Sequence, residues 1–493
     1  MAGEQFLIPG ETCWRSERAD SLRIIIDGAD YFTAVKRAML EARHTIMMIG
    51  WDFDTRIEFE PDGQTMDGPD TLGDFLVWLT KTREDLQLYM LKWDLGTLQS
   101  LERGMVPIAV RPMRLARNFH FKLDTEHPTG AAHHSKMIVI DDQVAFCGGI
   151  DMTAGRWDTR DHLDEQPCRV MPGDGEPLKP WHDVTTAVSG SLAGVLGDLA
   201  RQRWYRATCD RLDPPEDDGG APAWPDLETT FEDIPVGVAR TYPDYKDFPE
   251  VREIEALYLK AIAEVCETFY VETQYLASAR IARAIAERLA EPDGPEFVIV
   301  LPHEAEGWLR EKAMDGARKR LLEYLWANDP HDRFAAYYPV TEGGAGIYVH
   351  AKVLTVDDRL LRVGSSNLNN RSMGFDTECD LAIEAAACDD PGAVSETIMG
   401  LRRDLLCEHL DVSAQDYDAT LAQEGGLIAM IEALRGDGRS LRPFTRNGVN
   451  GDASVLAENE FADPEAVGDG LADRLAGGLH DLLENAGLES EED

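Results

Sequence analysis

The amino-acid sequence predicts an α/β protein built from two similar halves. A motif of His, Lys and Asp occurs twice at the same spacing. Helical and strand-like segments alternate in both halves, which is typical of α/β layers. Between the halves, residues 213–240 begin with a stretch rich in proline, aspartate and glycine that has the composition of a linker. The two copies of the motif are His134, Lys136, Asp141 and His350, Lys352, Asp357.

The elements that precede each motif follow the same order. In each half a helix leads into a short apolar strand, and a second helix leads into a second strand. These segments are residues 32–45, 46–51, 70–84 and 87–93 in the first half, and 251–267, 269–271, 306–326 and 334–340 in the second.

The motif itself falls on a strand, a polar turn and a returning strand. In the first half these are Lys136–Ile140 and Val144–Cys147, and in the second Val353–Val356 and Leu360–Val363. Side chains two positions apart on a strand point to the same face, so the His and Lys of each copy can converge on one phosphate. The Asp of each copy lies in the turn, where Asp commonly binds backbone.

The repeat and the linker divide the chain into five segments. The first half carries the first motif, and the second half carries the second. A helical extension and an acidic tail follow, and the tail is expected to be largely disordered. The boundaries are 1–212, 213–240 for the linker, 241–410, 411–450 for the extension and 451–493 for the tail.

Composition restricts the class of partner. The formal net charge is −43, which disfavours binding to nucleic acid or to an anionic bilayer. The eight cysteines form no CxxC pair, which favours reduced thiols over disulfides or a zinc site. The N-terminal residues do not read as a signal peptide and no stretch is apolar enough to span a membrane. We expect a cytoplasmic protein, with secretion independent of a signal peptide left open.

The duplicated residues suit metal-free phosphodiester chemistry. One neutral imidazole can attack phosphorus and form a phosphohistidine, while the other, protonated, gives its proton to the departing alcohol. Two ammonium groups can stabilise the charge on the phosphate oxygens. We expect no metal or other cofactor, because His162 and His182 lie near acids but lack a second ligand at a usable spacing.

Several separate motifs resemble those of one family. The segments HHSKMIVIDDQVAFCGGIDMTAGRWDT and IYVHAKVLTVDDRLLRVGSSNLNNRS are similar to the two signature motifs of the phospholipase D superfamily. GRWD, PWHD, YVETQY and DTE, in that order, resemble the subgroup of eukaryotic phospholipases D and their bacterial relatives. These motifs occupy residues 133–159, 347–372, 155–158, 180–183, 270–275 and 376–378.

The resemblance implies a fold and a set of roles. The fold would be two α/β domains related by a pseudo-twofold axis, with the active site at their interface. His134 would be the nucleophile and His350 the general acid and base. The resemblance further implies that Lys136, Lys352 and Asn367 contact the phosphate and that Glu378 orients a histidine. Asp183 is the candidate for the corresponding acid of the other histidine, because residues 183–188 and 378–383 are predicted as equivalent strands. Substrate contacts are expected at Asp151, Gly149 and Ser365, with Asp in place of the more common Asn at 151. Asp141 and Asp357 complete the catalytic set, although a structural role in the turn is favoured for both.

These expectations define a first hypothesis and its alternatives. The first is a phospholipase D that hydrolyses glycerophospholipids to phosphatidic acid and also performs transphosphatidylation. The alternatives are a phosphatidyltransferase of the cardiolipin synthase type and a non-catalytic phospholipid-binding protein. The net charge disfavours a nuclease. The expected partners are a phospholipid substrate and, transiently, a membrane surface, and the protein is expected to be monomeric. The candidates for the lining of the site are Trp51, Trp157, Trp181 and Trp308.

Overall fold

The computed structural model describes residues 5–93, 116–216, 224–304 and 308–445, and for residues 308–315 it describes the backbone alone. The predicted acidic tail, residues 451–493, lies outside the described residues. Within the described ranges, no helix is both long and apolar enough to cross a membrane.

Apolar and β-branched segments form eighteen strands in the described residues. They are β1 (Arg15–Ile26), β2 (Thr45–Gly50), β3 (Gln87–Trp93), β4 (Phe119–Asp124), β5 (Met137–Ile140), β6 (Val144–Gly148), β7 (Trp181–His182), β8 (Val184–Ser189), β9 (Phe231–Tyr242), β10 (Val251–Arg252), β11 (Thr268–Glu272), β12 (Glu296–Val300), β13 (Phe334–Val340), β14 (Tyr348–Val349), β15 (Val353–Val356), β16 (Leu360–Gly364), β17 (Glu378–Glu384) and β18 (Ser440–Pro443).

Nine α-helices are described alongside them. They are α1 (Gly28–Glu41), α2 (Leu72–Thr82), α3 (Ser191–Thr208), α4 (Glu253–Glu264), α5 (Ala279–Leu289), α6 (Trp308–Ala327), α7 (Pro391–Leu410), α8 (Ala414–Glu424) and α9 (Leu427–Leu434). A short π-helix covers Arg371–Phe375 and a 3₁₀ turn covers Ala385–Ala387.

The helix boundaries follow from local capping chemistry. Helix α7 begins after Asp390, whose side chain accepts a hydrogen bond from the Ala393 N–H, and Pro391 occupies the first turn. Helix α8 begins after Ser413, whose hydroxyl accepts from the Asp416 N–H, and it ends at Gly425 in the left-handed conformation.

One large sheet runs through both halves, and its strand order is symmetric. From one edge to the other the order is β18-β13-β12-β11-β15-β16-β17-β9-β1-β8-β6-β5-β2-β3-β4, with β10 paired to β9. The strands from β9 out to β13 have counterparts in the strands from β1 out to β4, and among the described strands β18 at the edge has none. The pairs β17 and β8, β16 and β6, β15 and β5, and β11 and β2 occupy matching positions. This arrangement confirms the predicted α/β fold with two similar halves.

The two halves meet at the antiparallel pair β1 and β9. Arg15 is paired with Val238 and Leu22 with Phe231. The predicted linker, 213–240, therefore differs from the structure, because its last ten residues lie in β9 at the centre of the sheet. Apolar alternation in this strand buries Val236 and Val238 completely. Part of the preceding segment, 217–223, lies outside the described residues.

The apolar core is shared between the halves. One cluster of buried side chains combines Val188 and Leu196 of the first half with Leu381 and Leu405 of the second. A second cluster lies mainly in the second half but also contains Phe6, Leu7 and Cys13, and a third lies in the first half. The predicted helical extension, 411–450, contains α8 and α9 and also β18, which pairs with β13. The extension is thus part of the sheet as well as helical.

Candidate active site

The backbone joins each motif to the opposite half of the molecule. His134 lies just before β5, and its N–H donates to the Thr377 carbonyl at 2.9 Å. His350 lies between β14 and β15, and its N–H donates to the His182 carbonyl at 2.8 Å. Strand β14 is also paired in parallel with β7. The backbone of each histidine is therefore held by a hydrogen bond to the backbone of the other half.

Each histidine is hydrogen-bonded to a carboxylate from the other half. His134 Nδ1 lies 3.0 and 3.1 Å from the two carboxylate oxygens of Glu378. His350 Nδ1 lies 2.6 Å from Asp183 Oδ2. A carboxylate on Nδ1 holds that nitrogen protonated and directs Nε2 toward the space between the halves. The two imidazole–carboxylate pairs thus cross the interface in opposite directions.

The two carboxylates occupy equivalent places in the fold. Gly148 of β6 is paired with Thr185, and Gly364 of β16 is paired with Asp380. Asp183 and Glu378 each stand two residues before those partners. Strand β8, which follows Asp183 directly, and strand β17, which begins with Glu378, are therefore equivalent, as the sequence predicts. What differs is the length of the acid, and the neighbouring residues account for the difference.

Ser365 and Gly149, predicted as substrate contacts, lie directly beside these carboxylates. Ser365 Oγ donates to Glu378 Oε2 at 2.5 Å, and Ser372 Oγ donates to Glu378 Oε1 at 2.7 Å. At the equivalent position, a Cβ on Gly149 would lie 2.2 Å from Asp183 Oδ1. Gly149 therefore leaves room for the Asp183 carboxylate, and the hydroxyl of Ser365 hydrogen-bonds the Glu378 carboxylate. Each residue thus helps to position the acid of its half.

The two lysines have unequal surroundings. Lys136 Nζ donates to the His134 carbonyl at 2.8 Å and forms an ion pair with Asp151 Oδ2 at 3.0 Å. Lys352 Nζ donates to the His350 carbonyl. The residue equivalent to Asp151 is Asn367, a neutral amide, so the second lysine is not matched by a carboxylate at that position. The repeat is duplicated in geometry but not in charge.

Asn367 and Asp151 also differ in their hydrogen bonds. The Asp151 Oδ1 accepts from the Trp51 N–H at 3.1 Å, and its other oxygen holds Lys136. Asn367 is buried, and its Oδ1 has no hydrogen-bond partner among the described residues. Asn367 therefore has polar capacity for a ligand, whereas Asp151 is committed to the protein. A substrate contact at Asn367 stays a prediction.

Burial and the lysine charges shift the histidines toward the neutral form. Burial, followed by Lys136 and Lys352, lowers the pKa of His134 well below 6.5. Burial, followed by Lys352 and Arg156, does the same to the pKa of His350. Because both lysines influence His134, and Lys136 also influences His350, the four groups form one electrostatic site. A neutral His134 has the lone pair that a nucleophile needs.

The remaining charges respond to the same burial. Burial lowers the pKa of Lys352 to about 7, against the opposing effect of Asp183. Burial raises the pKa of Glu378 to about 8, although the hydroxyls of Ser365 and Ser372 act in the other direction. The site without substrate thus carries little charge for its number of ionisable groups. An anionic phosphate would favour the protonated forms of Lys352 and His350.

Arg156 and Trp181 lie at the site, although the sequence analysis places neither in the catalytic or substrate-binding set. The Trp181 ring stacks on Tyr348 with centroids 4.6 Å apart and lies 5.1 Å from the His350 ring. The Arg156 guanidinium lies 3.9 Å above the Trp181 ring. Trp181 was expected only as lining, and Arg156 appeared only within GRWD. The sequence feature that could have identified them is their position in the motifs GRWD and PWHD, the second of which also contains Asp183.

Asp141 and Asp357 lie away from the reacting groups, in contrast to their inclusion in the catalytic set. Asp141 accepts hydrogen bonds from the N–H groups of Arg43, His44 and Thr45 at 2.7–2.8 Å. Asp357 accepts from the N–H groups of residues 266–268 at 2.8–3.0 Å. Both act on the start of a neighbouring strand, because a carboxylate at a turn can satisfy the free N–H groups there.

The candidate tryptophans are largely buried. Trp51 stacks on Trp93 with centroids 5.8 Å apart, and Trp157 belongs to the core of the first half. The side chain of Trp308 lies outside the described part of the chain. Trp181 is the member of this set that contacts a motif histidine.

Two family models match the chain, one in each half. The model described as Phospholipase D matches residues 38–218, and the model described as Cardiolipin synthase, PLD-like domain, matches residues 258–393. Each match contains one copy of the motif and one of the two crossing carboxylates.

The chain belongs to the phospholipase D superfamily. This confirms the family that the paired motifs predict. Among curated relatives of this superfamily, the chain is similar to phospholipase D alpha 3 of Arabidopsis thaliana, at 23% identity over 86% of the chain. It is also similar to phospholipase D A of Dictyostelium discoideum, at 22% identity over 73% of the chain, and to phospholipase D alpha 1 of Cynara cardunculus, at 24% over 77%.

The chain spans different shares of these phospholipase D relatives: 70% of the Arabidopsis protein, 32% of the Dictyostelium protein and 64% of the Cynara protein. Among solved structures, it resembles a phosphatidylserine synthase of Haemophilus influenzae Rd KW20, with a TM-score of 0.52 and 13% identity. That likeness covers 78% of this chain and 86% of the other and supports the fold alone.

Proposed function

We propose that this member of the phospholipase D superfamily hydrolyses glycerophospholipids to phosphatidic acid and a free head-group alcohol, with transphosphatidylation as a second outcome. The observation that carries the proposal is the crossed pair of imidazole–carboxylate contacts, His134 with Glu378 and His350 with Asp183. With two buried lysines beside them, one histidine can attack the phosphorus of a phosphodiester while the other protonates the departing oxygen.

In the first step His134 Nε2 attacks phosphorus. A P–N bond forms, the bond from phosphorus to the head-group oxygen breaks, and protonated His350 gives its Nε2 proton to the departing alcohol. Asp183 stabilises the imidazolium of His350, and Glu378 stabilises the positive charge that develops on His134. Lys136 and Lys352 stabilise the negative charge on the oxygens of phosphorus.

In the second step His350, now neutral, takes a proton from water as the water oxygen attacks phosphorus. The P–N bond breaks, His134 is released, and the product is phosphatidic acid. An alcohol that takes the place of water gives a new phosphodiester instead. One covalent intermediate therefore accounts for both outcomes.

The enzyme assay uses purified full-length protein with phosphatidylcholine, phosphatidylethanolamine and phosphatidylglycerol in separate reactions. Release of the head group together with phosphatidic acid is expected for at least one lipid, and His134→Gln and His350→Gln should each reduce it by roughly 10³-fold or more. His303→Gln, a change to a half-exposed histidine outside the site, is the control. Full activity in either site variant would contradict the proposal.

A phosphatidyltransferase of the cardiolipin synthase type remains the second candidate, favoured by the model that matches residues 258–393. In that case a lipid alcohol, not water, would resolve the intermediate. Cardiolipin formed from phosphatidylglycerol, without phosphatidic acid, would favour this candidate. Binding of phospholipid vesicles with no turnover of any lipid would favour a non-catalytic protein.

We further propose that the protein is a monomer in the cytoplasm that meets its phospholipid at the membrane surface, and that it binds no nucleic acid. The net charge of −43 supports transient contact with a neutral surface over retention on an anionic one. Sedimentation of the protein with phosphatidylcholine vesicles, compared with vesicles that contain phosphatidylglycerol, tests this. Stronger retention on the anionic vesicles would contradict it.

A further inference from the structure

A second group of titratable side chains is buried beside the active site. Asp27 follows β1, His162 follows the GRWD segment, His182 ends β7 and Glu408 lies in α7. All four are buried, with at most 6% of the residue surface exposed. One ligand atom from each lies within 4.8 Å of the others. No spacing in the sequence indicates this group, because its members are spread along the chain from Asp27 to Glu408.

The distances within the group suit a small cation. His182 Nδ1 lies 3.0 Å from Glu408 Oε1 and 3.2 Å from Asp27 Oδ1. His162 Nε2 lies 3.1 Å from the same Glu408 oxygen and 3.4 Å from Asp27 Oδ2. Four ligands at zinc-bond lengths in a tetrahedron stand roughly 3.3–3.4 Å apart. These four distances are close to the edges of such a site, with Asp27 contributing a different oxygen to each histidine, and one ligand atom from each residue lies within 4.8 Å of the others.

Both imidazoles are held from behind by a carboxylate. His182 Nε2 lies 2.8 Å from Glu272 Oε2, and His162 Nδ1 lies 3.1 Å from Asp158 Oδ2. A carboxylate accepts the proton on that nitrogen, which leaves the lone pair of the other nitrogen directed into the group. The same carboxylate–histidine arrangement orients and strengthens the histidine ligands of zinc sites.

Two buried atoms inside the group have a charged neighbour but no well-aligned hydrogen bond among the described residues. They are His182 Nδ1, 3.0 Å from Glu408 Oε1, and Asp27 Oδ2, 3.4 Å from His162 Nε2. Their residues are at most 1% exposed. Buried polar atoms in a folded protein are nearly always satisfied. A bound cation would satisfy both atoms.

We propose that Asp27, His162, His182 and Glu408 bind one divalent transition-metal ion, with Zn²⁺ the best match to two imidazoles and two carboxylates. Imidazole ligands favour zinc over magnesium or calcium, and a site closed by four protein ligands is structural. The ion joins the first half to α7, the last helix of the second half.

The proposed ion would act on the catalytic residues through the backbone. Asp27 Oδ1 accepts from the Asp183 N–H at 3.0 Å, and the His182 carbonyl accepts from the His350 N–H at 2.8 Å. Both partners of the Asp183–His350 pair are thus attached to proposed ligands. The ion holds this pair in place and takes no part in the reaction.

The competing state is an ion-pair network in which protons replace the metal. Burial lowers the pKa of His162, but Asp27, Asp158 and Glu408 outweigh it and raise the pKa to about 9. Two imidazolium groups carry the same charge as one divalent cation with two neutral imidazoles. Only a measurement of bound metal distinguishes the two states.

The experiment measures metal in full-length protein made without a histidine tag and purified without a chelator. After incubation with Zn²⁺ and desalting, elemental analysis should find about one zinc per chain. His162→Gln and Asp27→Asn should each reduce this content by roughly tenfold or more. His303→Gln, outside the group, should leave it unchanged.

Two further measurements keep the outcome clear if a variant does not fold. Wild-type protein stripped with a chelator should regain a higher midpoint of thermal unfolding when Zn²⁺ is added. With Co²⁺ it should show the visible absorption of a tetrahedral site. Wild-type protein that holds less than about a tenth of an equivalent, with an unchanged midpoint, has the ion-pair network instead. Zinc retained in full by folded His162→Gln would also overturn the proposal.

Discussion

At the scale of single residues, the active site depends on where two protons lie. Asp183 and Glu378 fix the Nδ1 protons of His350 and His134, and so leave Nε2 of each ring for the phosphate. Which histidine can act as nucleophile and which as acid then depends on the pKa values of the two imidazole rings. Both are lowered in the protein without substrate, so the acid form of His350 is scarce at neutral pH.

Replacement of either carboxylate by its amide should lower activity without unfolding the protein. Asp183→Asn and Glu378→Gln keep the size of the side chain but favour the wrong tautomer of the histidine. We expect kcat/KM for head-group release to fall by roughly 10²–10⁴-fold. Circular dichroism checks the fold.

The matched control is Glu384→Gln. Glu384 is buried at the far end of the same strand as Glu378 and accepts from the N–H groups of Phe6 and Leu7 at 3.0 Å. Its amide should cost stability but little kcat/KM measured on folded protein. Equal losses of activity in all three variants would mean that the carboxylates act only on the fold.

The pH profile should respond to Arg156. Its positive charge is among the causes that lower the pKa of His350, so Arg156→Gln should raise that pKa toward 6.5. The proton-donating form then persists to higher pH, and the alkaline limb of kcat/KM should move upward by about half a unit or more. Kinetic measurements from pH 4 to 9 test this.

Arg56→Gln provides the comparison for that shift. Arg56 is partly exposed and paired with Asp54, and it is not among the groups that influence His350. The alkaline limb of this variant should stay where it is in the wild type. A shift of the same size in both variants would assign the effect to net charge.

At the scale of elements, the turn carboxylates connect the motif to its neighbouring strand. Asp141 and Asp357 each lie in the left-handed conformation, with φ of 52° and 53°. Each accepts three backbone N–H groups at the residues that lead into β2 or β11. The spacing between the His and the Asp of each motif is thus set by the contact with the neighbouring strand as well as by the chemistry of the site.

Loss of either turn carboxylate should reduce stability far more than catalysis. Asp141→Ala or Asp357→Ala leaves three N–H groups without their acceptor, which should lower the free energy of unfolding by about 2–4 kcal/mol. Urea denaturation measures this. The kcat of the folded fraction should stay within a few-fold of wild type, and a loss comparable to that of His134→Gln would assign these residues to the reaction.

Elements were predicted from the sequence where their periodicity was strong. The predicted helices and strands before each motif lie within about four residues of their observed bounds, because amphipathic spacing reflects burial against one sheet. Helix α5 and strands β12 and β4 also precede the motifs and were not predicted. The segment 231–240 was taken for linker because the acidic and proline-rich residues before it dominated its interpretation. Its strand depends on β1 and β17, which are distant in the chain.

At the scale of the whole molecule, one continuous sheet unites the halves. Strand β9 pairs with β1 of the first half and with β17 of the second. The shared core cluster contains side chains from both halves. Independent unfolding of one half would expose this core and break the β1–β9 pairing.

Unfolding should therefore be a single cooperative transition. Circular dichroism and tryptophan fluorescence should give coincident thermal curves, and Asp141→Ala and Asp357→Ala should each shift the whole curve. Differential scanning calorimetry provides the independent measurement. Two resolved transitions, with each variant affecting one, would mean that the halves fold separately.

The sequence by itself determined the duplicated fold, the family and the candidate catalytic residues, because fixed spacing and alternating periodicity are local properties of the chain. Tertiary structure alone decided that Glu378 serves His134 and Asp183 serves His350. It also gathered Asp27, His162, His182 and Glu408 into one buried group. Both arrangements depend on how two halves pack across β1 and β9, and contacts between distant residues leave no spacing in the sequence from which they could be inferred.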